Sequence, residues 1–151
     1  MENTDWDIKR YRSEKLRYYN LYKVDNSRAE YVSMNISKYQ RSLYAQFRLG
    51  ILPLEIEVGR FRNLELGLRI CKMCNLELVE DEIHFLCDCP KYSDYRENLF
   101  SIASISNPAF LNLDSLDKFV YLIANHERAV ITYVYNAFRK RQGCMIYEPT
   151  H

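Results

Sequence analysis

Glycine and proline are scarce, four of each in 151 residues, which leaves little material for the many tight turns of an all-β sandwich. A dominant charge is lacking as well. Twenty-one Lys and Arg against twenty Asp and Glu leave a formal net charge of +1, so no bulk positive field draws nucleic acid or a membrane surface, and such binding falls to a local patch. No uncharged apolar run reaches the roughly 18 residues of a membrane-spanning helix. The opening Met1-Glu2-Asn3-Thr4-Asp5-Trp6-Asp7 is acidic and polar, unlike a secretory signal. These absences argue against a membrane partner and for an intracellular setting, nuclear or cytoplasmic. What is present is globular in balance: 48% hydrophobic and 27% charged residues, in a length suited to one domain. Thirteen tyrosines imply a core that uses their rings and keeps hydroxyls at its edge.

The five cysteines are unevenly placed. Cys71, Cys74, Cys87 and Cys89 fall within nineteen residues, and Cys144 stands alone. A disulfide scaffold spreads its cysteines over a short secreted chain. A tight cluster without a signal peptide reads instead as metal ligands in a reducing compartment.

Along the chain the pattern is helical, and the fold class expected is mainly α, a bundle carrying a small Cys3His zinc-binding insert. Residues 1–26 form a basic and aromatic segment, with a helix expected over Asp7 to Tyr22. Residues 27–151 form the helical domain, with the insert at 69–90. Ser27 and Glu30 make a capping box, after which Val32, Ile36, Tyr39, Leu43 and Phe47 recur at helical spacing up to Gly50, suited to close the helix in a left-handed conformation. Residues 51–58 fit either a strand, by alternation, or a helix with Pro53 at its first position, and the helix is slightly favoured. Pro90 opens a helix carrying Tyr95, Leu99 and Ile102, and Ser106-Asn107-Pro108 marks a loop. Leu116, Phe119, Val120 and Ile123 form a stripe capped by Asp114 or Ser115. After the short connection Asn125-His126, a last helix carries Val130, Tyr133, Val134, Ala137 and Phe138 and is expected to end at Gly143.

The insert offers Cys71-x2-Cys74, nine residues, His84, then Cys87 and Cys89. Two cysteines two residues apart can place both thiolates on one ion across a tight turn, and a closed Cys3His set is a standard structural zinc site. The fourth ligand is open at this point: Cys87 is within reach on one helical face of His84, while Cys89 requires the helix to end first, which Pro90 favours by pushing its predecessor out of the helical region. Asp81 is placed to cap the short helix bearing His84, and Glu80 and Glu82 suit that helix's dipole. Four protein ligands leave no position for a reactive water, so catalytic zinc is not expected. Free core cysteines are the plain alternative.

The run Leu43-Tyr44-Ala45-Gln46-Phe47-Arg48-Leu49-Gly50-Ile51-Leu52-Pro53-Leu54, then Glu57-Val58-Gly59-Arg60-Phe61, Cys71-x2-Cys74, His84-Phe85-Leu86-x-x-Cys89-Pro90 and Tyr92-Ser93-Asp94-x-Arg96 resembles the zinc-binding region that follows reverse transcriptase in non-LTR (LINE-like) retrotransposon polyproteins. The resemblance covers about residues 40 to 100 and is most specific in its cysteine-histidine part. It implies Cys71, Cys74, His84 and Cys89 as the ligands of a structural Zn2+, with Cys87 spare. Asp81 stands where that family often has Thr, one capping residue for another. No polymerase Asp-Asp pair or nuclease acid-x-Lys motif is found, so polymerase activity is not carried over.

Two functions follow as expectations. One is a non-catalytic module binding RNA or single-stranded DNA through Lys9, Arg10, Arg12, Lys15 and Arg17 with nearby tyrosines, then Arg60, Arg62, Arg69 and Lys72, then Arg139, Lys140 and Arg141, since clustered cations bind phosphates and exposed rings stack on bases. The other is a structural domain that docks a protein partner or associates with itself. No acid, base or nucleophile converges on a small-molecule substrate. His126, at a helix start, is expected to be a surface or capping residue with no nucleophile beside it.

Overall fold

A computed structural model describes Tyr18 and residues 30–146. The described chain is helical, and its one extended pairing is an isolated antiparallel bridge between Ile70 and Val79. Five α-helices form the body: α1 (Lys38–Leu49), α2 (Glu55–Phe61), α3 (Ser93–Ser106), α4 (Ser115–Asn125) and α5 (Glu127–Ile146). Helix α5 packs against α1, α3 and α4, and Val130, Val134 and Ala137 on its inner face are fully buried. No helix is long and apolar enough to cross a membrane among the described residues.

Helix α1 starts later than the sequence suggests. Glu30–Ser33 is a 3-10 turn, Ser27 lies outside the described residues, and Val32 and Ile36 precede the helix. The start is fixed by a second capping box: Ser37 Oγ accepts from the Gln40 amide at 3.1 Å, and Gln40 Oε1 accepts from the Ser37 amide at 3.1 Å. The far end is as expected, with Gly50 left-handed at φ 73° and its amide directed to the carbonyls of Gln46 and Phe47. Of the stripe, Leu43 and Phe47 are buried and Tyr39 is exposed.

The ambiguous stretch after Gly50 is helical, but Pro53 precedes the cap residue Leu54 rather than opening α2. Leu54 supplies no side-chain cap; the first amides of α2 bond to Glu80 of the insert, which accepts from Glu55 through Oε1 at 2.7 Å and from Ile56 through its carbonyl at 3.1 Å. Gly59 is required on the next turn, because a Cβ there would lie 2.4 Å from Cγ of Arg69.

A 3-10 turn, Pro90–Tyr92, leads into α3, where Leu99 is buried and Ile102 is 38% exposed, so the expected stripe is only partly a core face. Asp114 caps α4 by accepting from the Asp117 amide at 2.8 Å. Helix α5 does not stop at Gly143 but runs to Ile146; Gly143 lacks the positive φ of a helix-closing glycine. The helix expected over Asp7 to Tyr22 and the boundary after residue 26 lie outside the described residues, apart from Tyr18. That side chain is buried, its ring 5.3 Å from that of Phe119.

Candidate metal centre

The insert is built from a hairpin and a turn of helix. Residues on either side of the Ile70–Val79 bridge pair through Cys71 N to Leu78 O at 2.8 Å and Glu80 N to Arg69 O at 3.1 Å. Between them the chain folds over Cys71-x2-Cys74 and returns through Glu77, a left-handed residue at φ 56°. The Met73 amide donates to Cys71 Sγ at 3.4 Å. Amides two residues on play the same part for the other sulfurs, Leu76 for Cys74 and Lys91 for Cys89, and each favours the thiolate.

The other side is presented by a helical segment that Asp81 caps, its Oδ1 accepting from the His84 amide at 2.8 Å as the sequence suggested. Asp81 Oδ2 takes the hydroxyl of Tyr18 at 2.7 Å. From His84 to Asp88 the backbone widens into a single π-turn, and the Cys89 amide closes onto the His84 carbonyl at 2.8 Å, five residues back. Cys89, at φ −66° and ψ 119°, has already left the helix, the extended conformation that a following proline imposes. This turn decides between the two candidate cysteines. Cys89 joins Cys71, Cys74 and His84, whereas Cys87 is buried among apolar side chains outside the group. For Cys87 the plain alternative holds, and burial pushes its thiol far above the ordinary range.

The end of a π-turn leaves carbonyls unpaired. Arg96 of α3 donates from Nε to Leu86 O at 3.0 Å and from Nη2 to Phe85 O at 3.4 Å, and the Tyr133 hydroxyl of α5 also donates to Phe85 O. The Phe85 ring is fully buried against Phe47, Tyr92 and Tyr133, with centroids 5.1 to 6.2 Å away. The turn that carries two of the four cluster residues is thus part of the main core.

One ligand atom from each of Cys71, Cys74, His84 and Cys89 lies within 4.8 Å of the other three. Cys71 and Cys89 Sγ are 3.9 Å apart, and Cys74 Sγ is 3.5 Å from His84 Nε2. A tetrahedral ion with ordinary zinc bond lengths has sulfur–sulfur edges of about 3.8 Å and sulfur–nitrogen edges of about 3.6 Å. The donors present therefore fit a four-coordinate metal ion. Without one, a hydrogen bond links Cys71 and Cys89: with burial, it pushes the Cys71 thiol up to about 12, and the same bond lowers Cys89. Burial raises Cys74. Burial also pulls the His84 imidazole down, but its hydrogen bond to Cys71 and the negative charges of Cys71, Asp81 and Glu80 outweigh this, and its pKa is raised. His84 Nδ1 is buried without a hydrogen-bond partner among the described residues.

The proposed nucleic-acid contacts are placed less uniformly. Lys9, Arg10 and Arg12, with Lys15 and Arg17, lie outside the described residues. Arg60 is half-buried, with Nη2 2.6 Å from Glu57 Oε1, and Arg62 is exposed; both line a groove of about 460 Å3 beside the exposed Phe61 ring. Lys72 is exposed, its Nζ 3.7 Å from Glu55. Arg139 is exposed and donates to the Tyr135 hydroxyl, and Lys140 donates to Lys91 O. Arg69 is buried and bonded to the carbonyls of Ile56 and Leu64. Arg141 calls for a correction: it is 5% exposed and bonded to Glu80 through Nε at 2.9 Å and Nη2 at 2.7 Å, so its guanidinium has no face left for a phosphate. Position in the last helical turns suggested a surface cation; only the tertiary fold supplies its acid.

His126 is a capping residue as expected, its amide donating to Leu122 O at 2.8 Å at the end of α4, and a serine lies beside its ring. Its Nε2 is 2.7 Å from Ser106 Oγ, which also bonds to Ala103 O and the Tyr121 hydroxyl, tying the end of α3 to the α4–α5 corner. A groove of about 710 Å3 lined by Tyr95, Ile102, His126 and Arg128 includes none of the four cluster residues.

No protein-family model, curated protein or solved structure matches this chain.

Proposed function

We propose that this chain is a non-catalytic zinc-binding module, related in kind to the region that follows reverse transcriptase in non-LTR retrotransposon polyproteins, and that it binds RNA or single-stranded DNA. The observation that carries the metal reading is the match of the 3.9 and 3.5 Å donor separations to the edges of a tetrahedral site. Three sulfurs and one imidazole favour Zn2+ over harder divalent ions, and a filled first shell suits a structural role. When bound, the ion would tie the hairpin residues Cys71 and Cys74 to the helical residues His84 and Cys89. The nucleic-acid reading rests on the exposed Arg62, Lys72 and Arg139, the half-buried Arg60 and Lys140, and the exposed Phe61 ring.

A second reading, docking of a protein partner or self-association, is favoured by Ile105 and Leu111, which are 84% and 60% exposed, and by the withdrawal of Arg141 into the interior. The decisive experiment has two stages. Elemental analysis of protein purified without added metal is expected to find one zinc per chain, retained in Cys87→Ser and lost in Cys89→Ser; loss in both or neither would overturn the ligand assignment. Fluorescence anisotropy with labelled single-stranded RNA is then expected to show binding that weakens steeply from about 50 to 200 mM salt. No binding at low salt, together with concentration-dependent dimers in sedimentation, would replace the nucleic-acid reading with the second.

A further inference from the structure

Glu80 is fully buried, and its Oε2 lies 3.9 Å from Cys71 Sγ. Three thiolates around a divalent cation leave the closed site with a charge of −1. Glu80 adds a second negative charge at a place that water does not reach, where like charges repel strongly. The acid cannot simply turn away, because its Oε1 holds the first amide of α2. Arg141 meets it from the far end of the sequence, 61 residues on, with two charge-assisted hydrogen bonds. The same guanidinium lies 3.7 Å from Oε1 of Glu55, which is also buried, and Lys72 lies 3.7 Å from that oxygen on the solvent side. Glu80 beside Cys71 and Glu55 beyond it are thus two buried acids that a single buried guanidinium, that of Arg141, meets together.

We infer that Arg141 is a positioning residue of the metal centre: it neutralises and aims the Glu80 carboxylate, so that this acid can cap α2 without opposing the charged sulfurs beside it. The inference rests on the metal reading given above and extends it, since it makes the affinity of the insert depend on a side chain of α5. Residues 69–90 are on this account only part of the binding unit. Arg141 bonds to Glu80 and lies against Glu55 rather than against a cluster residue, one contact beyond the outer-shell partners whose loss typically weakens metal binding about 10- to 100-fold, so an effect at the lower end of that range is expected.

The test is a zinc competition titration against a chromophoric chelator, on the full chain, with helical content checked by circular dichroism. Arg141→Met is expected to bind zinc about tenfold more weakly than the parent. Removing the acid as well, in Glu80→Gln/Arg141→Met, is expected to restore affinity to within about threefold, because the uncompensated charge is gone and the glutamine oxygen can still cap α2. Glu80→Gln alone is expected to bind at least as tightly as the parent. Parent-like affinity in Arg141→Met would overturn the inference. So would a double variant as weak as Arg141→Met, which would mean that Arg141 acts only by docking α5. If Arg141→Met does not fold, the other two variants decide, and weakened zinc binding in Glu80→Gln overturns the proposal. A parent chain that takes up no zinc would instead overturn the metal reading itself, an outcome distinct from any of these.

Discussion

Protons and a metal ion compete for the ligand atoms of His84 and the three cysteines around it. The sign of the pH dependence follows from the shifts. Each ligand atom gives up its proton on binding, so acid favours the empty site. The His84 pKa is raised by Cys71, Asp81 and Glu80 against the effect of burial, so competition begins at a higher pH than for an ordinary imidazole. The Cys71 thiol, pushed up to about 12, keeps its proton at neutral pH until a metal displaces it. Apparent zinc affinity is therefore expected to fall by about tenfold per pH unit for each proton released, already at neutral pH through the Cys71 thiol and more steeply once His84 also takes up its proton. Competition titrations at several pH values measure this, and a flat profile would contradict it. At this scale much was legible: a cysteine pair at the right spacing and a lone histidine named three of the four cluster residues from chemistry alone. Cys87 and Cys89 were not separable that way, because the choice depends on the hydrogen-bond register of the backbone between them and His84. Arg141 was misplaced for a related reason, as nothing local distinguishes a helix-end cation from one that meets Glu80 across the fold.

Among the elements, the segment carrying His84 depends on a carboxylate that serves more than the cap. Asp81 caps it through Oδ1 and accepts the Tyr18 hydroxyl through Oδ2. Asp81→Ala removes these bonds and is expected to cost about 1 to 3 kcal/mol of folding stability, read from denaturant midpoints with the metal present. Asp81→Asn, which keeps an oxygen for the cap, should cost less; equal losses in the two variants would show that the cap contributes little. Caps were the most legible feature of the elements. Gly50, Asp81 and Asp114 all act as their residue types suggest, because a capping bond spans only a few residues. Where two local signals compete, the sequence is less informative: Ser37-x-x-Gln40 starts α1 although Ser27-x-x-Glu30 offers the same motif earlier. The capping of α2 by Glu80 had no local signature, since donor and acceptor are 25 positions apart.

At the level of the molecule, the metal residues straddle a boundary in the packing. Cys71 and Cys74 lie on a hairpin whose turn is exposed, at Leu76 and Leu78 for example, while His84 and Cys89 flank Phe85 and Leu86, both fully buried. Chelation is thus expected to affect the two halves unequally. Hydrogen exchange after metal removal should rise most in residues 69–79 and stay slow in 84–89, where Arg96 and Tyr133 hold the backbone. Uniform loss of protection across both, or none in either, would refute this division. The mainly helical class was readable from the 3.6-residue spacing of apolar side chains and the scarcity of glycine and proline. How deeply the insert enters the core was not, because its polar composition disguises Phe85, Leu86 and the buried charges that pair around them. Tyr18 carries a practical lesson of the same kind. A recombinant fragment beginning at residue 27, where composition alone suggests a cut, would remove the Tyr18 ring from Phe119 and its hydroxyl from Asp81, so an expression boundary belongs upstream of that tyrosine.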